Sequence, residues 1–373
     1  MKVLILINKV GLGDCIIHVN YIHEISKKYG KPVSILAKEN TRAKDLFLDD
    51  PHVSEVITLD RLNDNTGCHD GLNGFFKLVK DIKEKKFDKV FIFNSSIRYF
   101  LVCKTAGIKK DDIDFIVFAT LSPDYFFPGG GVMIQDMMNM GTIGALDVRN
   151  QCSGFIYALS TADQFIKTGM YKNVLVIGSE THSPGLDKTT RGRGVSVIFG
   201  DGAGAVVLSR EENNSKGILS THLHSEGKHA KELSLISPGL GTRWVTDIIE
   251  DNDPNDESYY PYMNGQFVFK NAVVRFSEVI NEALNKNNLT KKDIKLLVPH
   301  QANLRISQFI QRKFQLNDNQ VYNNIMKYGN TTAASIPIAL AEAHQDGHIK
   351  KNDIILLAAF GSGFTWGSAL IRW

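Results

Sequence analysis

The chain has 373 residues, of which 43% are hydrophobic and 22% charged, with a formal net charge of +3. This composition is that of an ordinary globular protein, which excludes a disordered chain, and the charge is too small to indicate nucleic-acid binding. The length suits two domains or one large duplicated domain. The first apolar run stops at Asn8 and Lys9 and is too short for a signal peptide or a membrane span, so we expect a cytoplasmic protein.

The cysteines argue against a metal centre. They show no paired spacing and no accompanying histidine, as the positions Cys15, Cys68, Cys103 and Cys152 indicate. We therefore expect neither a metal site nor a disulfide framework. We also expect the protein to occupy a reducing compartment.

Residues 1–107 alternate between strand and helix patterns. Val3–Ile7 is a continuous aliphatic run of the kind buried in parallel sheets, and Gly11 and Gly13 predict a turn before a helix from Cys15 to Tyr29. The later elements of this part are the strands Val33–Ala37, Val56–Leu59 and Lys89–Phe93 and the helix Phe75–Lys86. This alternation predicts an α/β domain, a truncated Rossmann-like doubly wound unit over residues 1–107.

The rest of the chain contains a repeated pattern. The segment at 109–118, Lys-Lys-Asp-Asp-Ile-Asp-Phe-Ile-Val-Phe, is echoed at 291–298 by Lys-Lys-Asp-Ile-Lys-Leu-Leu-Val. Two similar α/β halves follow, over 108–210 and 211–373. Their predicted elements are the strands Ile113–Ala119, Ala145–Val148 and Asn173–Gly178, the helices Gly129–Met140 and Phe269–Asn285, a hairpin over Val195–Ser209 and a strand-turn-strand over Asp353–Trp373.

Cys152 lies at a predicted strand-to-helix junction. A thiol at a helix N-terminus is near the positive end of the helix dipole, which favours the nucleophilic thiolate. The small residues Ser153 and Gly154 leave room for an acyl chain. A cysteine taken alone is more often a small buried side chain than a nucleophile. We interpret Cys15, Cys68 and Cys103 in this way.

His300 and Asn330 each stand at the end of a predicted element. His300 follows the strand Leu296–Pro299, at the carboxyl edge where open α/β sheets hold their sites. Asn330 lies in a turn before a helix of small residues over 334–344, where it either caps the helix or donates an amide hydrogen bond to a developing oxyanion. Each residue alone is more often structural.

The three residues together resemble a known family. Cys152, the motif His300-Gln-Ala-Asn and the motif Gly-Asn330-Thr occur in this order on two repeated halves, and the stretch Gly107–Trp373 resembles β-ketoacyl-acyl-carrier-protein synthase III of the thiolase superfamily. The resemblance implies a thiolase-like fold of two duplicated α/β halves in five layers and a homodimer, and it implies no cofactor. Further matching segments are Asp112–Thr120, Val174–Glu180, Gly200–Ala205 and Phe360–Ala369.

The same resemblance implies a mechanism. Cys152 would take an acyl group from acyl-CoA, and malonyl-ACP would then lose carbon dioxide to give the carbanion that attacks this acyl group. His300 and Asn330 would hydrogen-bond the malonyl thioester carbonyl, because charge develops on that oxygen. The backbone N–H groups of Cys152 and Ser362 match the oxyanion hole of the acyl-enzyme.

Several residues match family positions that contact the substrates. Phe199 and Phe269 are expected to line the acyl or pantetheine channel, with core packing as the alternative. Gly200–Ala205 lacks the Lys-Ser/Thr of a phosphate loop and is interpreted as a structural turn. Three basic residues match positions that bind CoA phosphates or the acidic carrier protein, although such residues are most often solvated charges: Arg193, Lys270 and Arg305.

Residues 1–107 carry a second resemblance. Leu4–Asp14, Asp50–Ile57 and Phe87–Arg98 resemble the N-terminal part of a heptosyltransferase-type glycosyltransferase, whose candidate catalytic base is at the position of Asp14. The nucleotide-sugar domain of that family does not follow. We therefore interpret the chain as a chimera, which leaves open a natural fusion, an engineered one and an error of assembly. The synthase part then lacks its own first strand, and the apolar surface left there must be covered by residues 1–107 or stay exposed.

The expected function is an acyltransferase of fatty-acid biosynthesis that gives 3-oxoacyl-ACP through acyl-Cys152. The expected partners are acyl carrier protein and coenzyme A thioesters. The alternatives are a related acyl condenser or acyl transferase that does not decarboxylate its substrate, and an inactive fusion or glycosyltransferase-related fragment.

Overall fold

The computed structural model describes residues 2–7, 12–60, 68, 77, 80–81, 84–85, 87–92, 110–212, 216–237, 246, 250, 253 and 256–373. The chain divides into two compact units, Met1–Ile97 and Arg98–Trp373. The domain bounds at 107 and 210 stay predictions.

The first unit contains a parallel sheet of four strands: β1 (Val3–Ile7), β2 (Val33–Lys38), β3 (Val53–Leu59) and β4 (Lys89–Ile92). Their order is β3-β2-β1-β4, and all neighbouring strands are parallel. Alternate side chains enter opposite faces, so that Ile5 and Ile35 pack in one cluster and Leu4 and Leu36 in another. The Rossmann-like, doubly wound character of this unit stays a prediction.

Two helices of this unit are described, α1 (Leu12–Tyr29) and α2 (Ala43–Leu46). Helix α1 begins three residues before the predicted Cys15, so Gly13 belongs to the helix and not to a turn. The spacing of apolar residues shows which face of a helix packs. It does not show at which residue the backbone hydrogen bonds of the helix begin.

The second unit contains two mixed sheets. The first, here the N-sheet, has the order β6-β5-β7-β8, and the second, the C-sheet, has the order β12-β13-β14-β9. In each sheet a parallel pair (β5 with β7, β12 with β13) is followed by an antiparallel hairpin strand (β8, β14). The predicted duplication is therefore present in the topology. The strands are β5 (Phe115–Ala119), β6 (Gly144–Val148), β7 (Asn173–Glu180), β8 (Gly202–Ser209), β9 (Gly217–Ser225), β12 (Leu296–Pro299), β13 (Ile354–Gly361), β14 (Thr365–Arg372), and the separate pair β10 (Leu233–Ser234) and β11 (Tyr262–Met263).

Helices cover the sheets in layers. The α-helices are α3 (Gly130–Met137), α4 (Gly154–Lys167), α5 (Arg193–Ser196), α6 (Gly265–Lys286), α7 (Leu304–Phe314), α8 (Ile325–Tyr328) and α9 (Ser335–Gln345). Short 3-10 turns lie at Glu39–Thr41, Lys110–Asp112, Gln151–Ser153, Ser183–Gly185, Gly227–Glu232, Glu257–Tyr259, Asp318–Gln320 and Thr332–Ala334.

The side-chain alternation of each strand fixes the order of the layers. Val117 of β5 packs with α4 and α9 between the two sheets, whereas its neighbour Phe118 packs on the outer face with α3. In the same way Leu357 of β13 faces the central helices, and Leu356 faces α6 and α7. The result is the predicted five-layer arrangement, with helices outside, between and outside the two sheets.

The predicted hairpin over Val195–Ser209 is wrong. Val195 belongs to the short helix α5, and only the second part of the segment is a strand, β8, which pairs with β7. The glycines of this segment serve close packing between the halves: a Cβ at Gly204 would lie 2.9 Å from the backbone nitrogen of Ile338.

No helix in the described ranges is both long and apolar enough to cross a membrane.

Gly178 of β7 makes a close approach that a larger side chain would prevent. A Cβ there would lie 2.3 Å from the carbonyl oxygen of Ala333, which is backbone and cannot rotate away. We expect Gly178→Ala to lower the free energy of unfolding by about 1–3 kcal/mol, as overpacking does. Denaturant unfolding measures the change.

The matched control is Gly227→Ala, whose Cβ would meet no atom within 4 Å. It should leave the unfolding midpoint nearly unchanged. Equal midpoints for the two variants would contradict the assigned close approach.

Candidate active site

Cys152 lies in a buried turn between β6 and α4. The turn is the 3-10 segment Gln151–Ser153, and the cysteine is 7% exposed. Gln151 has a φ of 43°, a left-handed conformation that is uncommon for a residue with a side chain and often found next to functional groups. The end of β13 packs on the thiol because residue 361 is glycine: a Cβ there would lie 3.0 Å from the Cys152 sulfur.

The thiol is neutral at rest. Burial, and next the charge of Glu180, raise the pKa of Cys152 to about 12, although the backbone N–H groups of Ser362 and Cys152 act in the opposite direction. Burial thus opposes the effect expected from the helix N-terminus, because removal from water disfavours the charged thiolate. The same two N–H groups remain the donors available to an oxygen on an acylated sulfur.

His300 follows the last residue of β12 and is held at both its backbone and its ring. Its N–H donates to the carbonyl of Ala358 at 2.8 Å, and its Nδ1 lies 2.6 Å from the hydroxyl of Ser335. Burial lowers the pKa of His300 to about 3, so the imidazole is neutral at ordinary pH. Its Nε2 is buried and has no hydrogen-bond partner among the described residues, which is costly unless a ligand supplies one.

Asn330 makes a local hydrogen bond to the turn that follows it, and its role as a donor to an oxyanion stays a prediction. Its side-chain Oδ1 accepts from the N–H of Thr332, two residues later, at 2.9 Å. The Nδ2 group of the amide carries the N–H donors, and it can donate a hydrogen bond to a ligand. The backbone of Asn330 is fixed by its N–H donating to Ile198 at 2.8 Å.

One turn, Asn330–Ser335, connects the three predicted residues. Asn330 begins it, and Ser335 at its end contacts the ring of His300. In its middle, Ala333 lies against the N-sheet half, where a Cβ at Gly154, two residues after Cys152, would meet the Ala333 methyl at 3.5 Å. Residues far apart in the sequence are thus brought to one buried place.

Glu180, at the end of β7, is a site residue that the sequence did not single out. It is 2% exposed, and its carboxylate accepts from the hydroxyl of Ser122 at 2.8 Å, from the N–H of Leu121 at 3.1 Å and from the N–H of Ala333 at 3.4 Å. Burial raises the pKa of Glu180 to about 7 despite these donors. It therefore joins the two halves next to the thiol and carries a charge that depends on pH.

His182 is a second missed residue. It is 9% exposed, its Nε2 lies 2.6 Å from the hydroxyl of Thr332, and its ring centroid is 4.8 Å from that of Phe199. Burial lowers the pKa of His182 to about 4. Glu180 ends the strand β7 and His182 follows it, and the pattern of this strand is that of ordinary core, so no motif in one sequence distinguishes the two residues.

The predicted substrate-contacting residues lie in different places. Phe199 forms a bridge to Asn330 and so borders the site, whereas Phe269 packs on the helical core of the C-sheet. The Ser362 hydroxyl donates to the carbonyl of Leu233. Arg193, Lys270 and Arg305 are exposed, and their binding roles stay predictions. The side chains of Asp14, Cys15 and Cys103 lie outside the described residues.

Two cavities in the described part of the chain, of about 1070 and 800 Å³, are not lined by Cys152, His300 or Asn330. Within the same residues, no cluster of three His, Cys, Asp or Glu side chains is arranged to hold a metal ion.

Comparison with known proteins assigns the second unit. Residues 146–227 match the family model of 3-oxoacyl-[acyl-carrier-protein] synthase III, and residues 284–373 match its C-terminal model. The β-ketoacyl-[acyl-carrier-protein] synthase III of Rhodospirillum centenum is 46% identical over 271 residues, which are 72% of this chain and 79% of the relative. That of Clostridioides difficile is 42% identical over 298 residues, 78% of this chain and 87% of the relative. The crystal structure of the Aquifex aeolicus 3-oxoacyl-[acyl-carrier-protein] synthase III superposes with a TM-score of 0.65 and 40% identity, over 73% of this chain and 80% of that one.

Replacing Glu180 should change the ionisation of Cys152. Above a pH of about 7 Glu180 is charged and raises the pKa of the thiol. Glu180→Gln removes this charge, so the thiolate fraction at pH 8.5 should rise. Since one pKa unit changes that fraction about tenfold, we expect alkylation of Cys152 by iodoacetamide to be at least roughly threefold faster. Mass spectrometry of the Cys152 peptide measures the rate against pH.

Ser122→Ala is the control, because it removes one hydrogen bond to Glu180 and keeps the charge. It should not accelerate alkylation at pH 8.5. A Glu180→Gln profile that superposes on that of the unmodified protein, or moves to higher pH, would overturn the assigned coupling.

Proposed function

Because the chain belongs to the 3-oxoacyl-[acyl-carrier-protein] synthase III family, we propose that it condenses an acyl-CoA primer with malonyl-ACP and forms 3-oxoacyl-ACP in fatty-acid biosynthesis. The observation that carries the proposal is the buried Nε2 of His300, which lacks a partner among the described residues, in a site that also holds a buried thiol and the amide of Asn330. Acyl carrier protein and coenzyme A thioesters are the proposed partners.

The first step is transfer of the acyl group to Cys152. The sulfur attacks the thioester carbonyl of acyl-CoA, a new C–S bond forms, and the bond to the CoA sulfur breaks. The thiol proton leaves with this step and ends on the departing CoA thiol. The N–H groups of Cys152 and Ser362 stabilise the negative oxygen of the tetrahedral intermediate.

The second step needs two hydrogen-bond donors. Malonyl-ACP loses its carboxylate as carbon dioxide, and the electron pair of that bond forms the enolate. The enolate carbon attacks the acyl group, the bond to the Cys152 sulfur breaks, and the released thiolate takes up one proton from solvent. Nε2 of His300 and Nδ2 of Asn330 donate to the malonyl thioester oxygen while its charge develops.

Ser335 decides whether His300 is a donor. Its hydroxyl has one proton and two acceptors within reach, Nδ1 of His300 at 2.6 Å and the carbonyl of Thr332 at 2.9 Å. When the hydroxyl donates to Nδ1, the neutral ring carries its proton on Nε2 and can donate to substrate. The proposed reaction uses this tautomer.

The N-terminal unit has a separate interpretation. We infer from the resemblance of residues 1–107 alone that this part derives from a glycosyltransferase-type Rossmann unit. The chimeric origin, the cytoplasmic location, the homodimer and the independence of cofactors stay predictions.

Acylation of Cys152 tests the proposed function directly. The full chain is incubated with radiolabelled acetyl-CoA, and protein-bound label is measured after denaturation. We expect the unmodified protein to retain label and Cys152→Ala to lose it, because the thioester forms on this sulfur.

Cys68→Ala is the matched control, since Cys68 is an exposed free thiol. It should retain the label. Absence of label on the folded, unmodified protein would refute the proposal.

Removing either donor should separate the two steps. In Asn330→Ala or His300→Ala, acetyl label on Cys152 should persist, because neither side chain is required for the first oxyanion hole. The rate of 3-oxoacyl-ACP formation from malonyl-ACP should fall by about 10²–10³-fold, as it does when one such donor is lost. Product is measured by mass spectrometry of the carrier protein.

A variant that loses both steps equally would show that the residue positions Cys152 instead of the malonyl group. Label on Cys152 with no 3-oxoacyl product in the unmodified protein would favour an acyl transferase without decarboxylation.

A further inference from the structure

Thr332 lies between a histidine of the N-sheet half and the amide of Asn330. Its hydroxyl is 2.6 Å from Nε2 of His182, which follows the strand β7. Its backbone N–H donates to Oδ1 of Asn330 at 2.9 Å. All three residues are buried. A continuous line of hydrogen bonds therefore runs from His182 to one of the two side chains that are proposed to stabilise the malonyl enolate.

The backbone conformation of Thr332 depends on its neighbours. Its φ is 47°, in the left-handed region that a residue with a branched Cβ rarely adopts. Such a conformation persists only where the surrounding groups hold it. If the contact to the Thr332 hydroxyl is lost, the peptide between Thr331 and Thr332 can rotate and take with it the N–H that Asn330 accepts.

The carbonyl end of Thr332 is restrained by other contacts. Its oxygen accepts from the hydroxyl of Ser335 at 2.9 Å, and the N–H of the next residue, Ala333, donates to Glu180. These bonds hold the peptide that follows Thr332. His182 contacts the side chain instead, so its loss should act on the preceding peptide, whose N–H orients Asn330.

His182 is anchored by the same segment that fixes the backbone of Asn330. Oδ1 of Asp201 accepts from the N–H of His182 at 2.7 Å. Next to Asp201, the N–H of Gly200 donates to the carbonyl of Asn330 at 3.0 Å, and the carbonyl of Ile198 accepts from the N–H of Asn330 at 2.8 Å. The turn at Gly200 and Asp201 thus holds the backbone of Asn330 and also the histidine that reaches its side chain through Thr332.

The charge of His182 is constant near neutral pH. Burial lowers the pKa of His182 to about 4, although the charge of Asp201 acts in the opposite direction. The ring also packs on Phe199, with the two centroids 4.8 Å apart. A neutral, packed ring whose Nε2 already contacts a hydroxyl is suited to hold that hydroxyl in place and not to transfer a proton.

We propose that His182 is a positioning residue for the condensation step, because through Thr332 it holds the amide of Asn330 in the orientation that directs Nδ2 to the malonyl thioester oxygen. The amide is planar, so a fixed Oδ1 also fixes the directions of the two Nδ2 hydrogens. This inference rests on the proposed function.

His182→Phe tests the proposal in the full chain. This variant keeps an aromatic ring beside Phe199 and loses the hydrogen bond to Thr332. Acetyl label on Cys152 should persist, whereas kcat for 3-oxoacyl-ACP formation should fall by about 10–100-fold, since a donor misplaced by a fraction of an ångström stabilises the enolate poorly. KM for malonyl-ACP should stay nearly constant, because the residue acts on the developing charge and not on binding of the carrier.

His182→Gln is the conservative variant, because its amide can again bond the Thr332 hydroxyl. It should restore kcat to within about fivefold of the unmodified protein. Recovery with a side chain that does not titrate also excludes a role of His182 in proton transfer. The matched control is His222→Phe, whose ring lies 3.0 Å from the hydroxyl of Ser220 outside the site and whose loss should leave both steps unchanged.

The background Asn330→Ala shows whether His182 acts through Asn330. The side chain that His182 positions is absent there, so adding His182→Phe should lower the rate of product formation by less than about twofold. The same 10–100-fold loss in both backgrounds would overturn the proposal, as would equal loss of Cys152 acylation and condensation in His182→Phe.

Hydrogen exchange of the Thr332 amide separates a failure of this inference from a failure of the proposed function. Exchange should be about fivefold faster or more in His182→Phe and should return towards the unmodified rate in His182→Gln, with or without condensing activity. If the unmodified protein forms no 3-oxoacyl-ACP, the proposed function fails and the exchange rates alone decide the positioning. Unchanged exchange in His182→Phe would overturn it.

Discussion

The packing of the Asn330–Ser335 turn against the N-sheet half is the contact on which the site depends. The approach is so close that residue 178 is a glycine where the turn passes, since a Cβ there would lie 2.3 Å from the Ala333 carbonyl oxygen. Glu180 then accepts the Ala333 N–H and fixes the depth of the turn. Because Ser335 also holds the His300 ring, one segment sets the positions of both proposed donors relative to the thiol.

The same packing removes water, and this decides the charges of the site. Burial raises the pKa of Cys152 to about 12 and lowers the pKa of His300 to about 3, so both side chains are neutral near pH 7. The fixed dipoles of this neutral site are the backbone N–H groups, the imidazole and the amide. These dipoles stabilise charge only as it develops on the substrate. Glu180, with its pKa raised to about 7, is the charged group that opposes early ionisation of the thiol.

Much of the second unit could be predicted from the sequence. The repeated motif at 109–118 and 291–298 gave the duplicated halves, and the alternation of residues such as Val117 and Phe118 accounts for the layers. Glu180 and Ser335 could not be identified, because a glutamate that ends a strand and a serine that begins a helix have no local signature of a tertiary contact. The burial that raises the pKa of Cys152 could not be predicted either, because the position at a helix N-terminus is visible in a sequence and the desolvation is not. The hairpin at 195–209 was misjudged because its glycines serve contacts with the other half.

A crystal structure of the protein after reaction with acetyl-CoA is the most direct test of the assigned geometry. The account predicts an acetyl group on the sulfur of Cys152, with its carbonyl oxygen within hydrogen-bond distance of the N–H groups of Cys152 and Ser362, while Nε2 of His300 stays free for the second substrate. An acetyl group on another residue, or a carbonyl oxygen bound to His300, would contradict it.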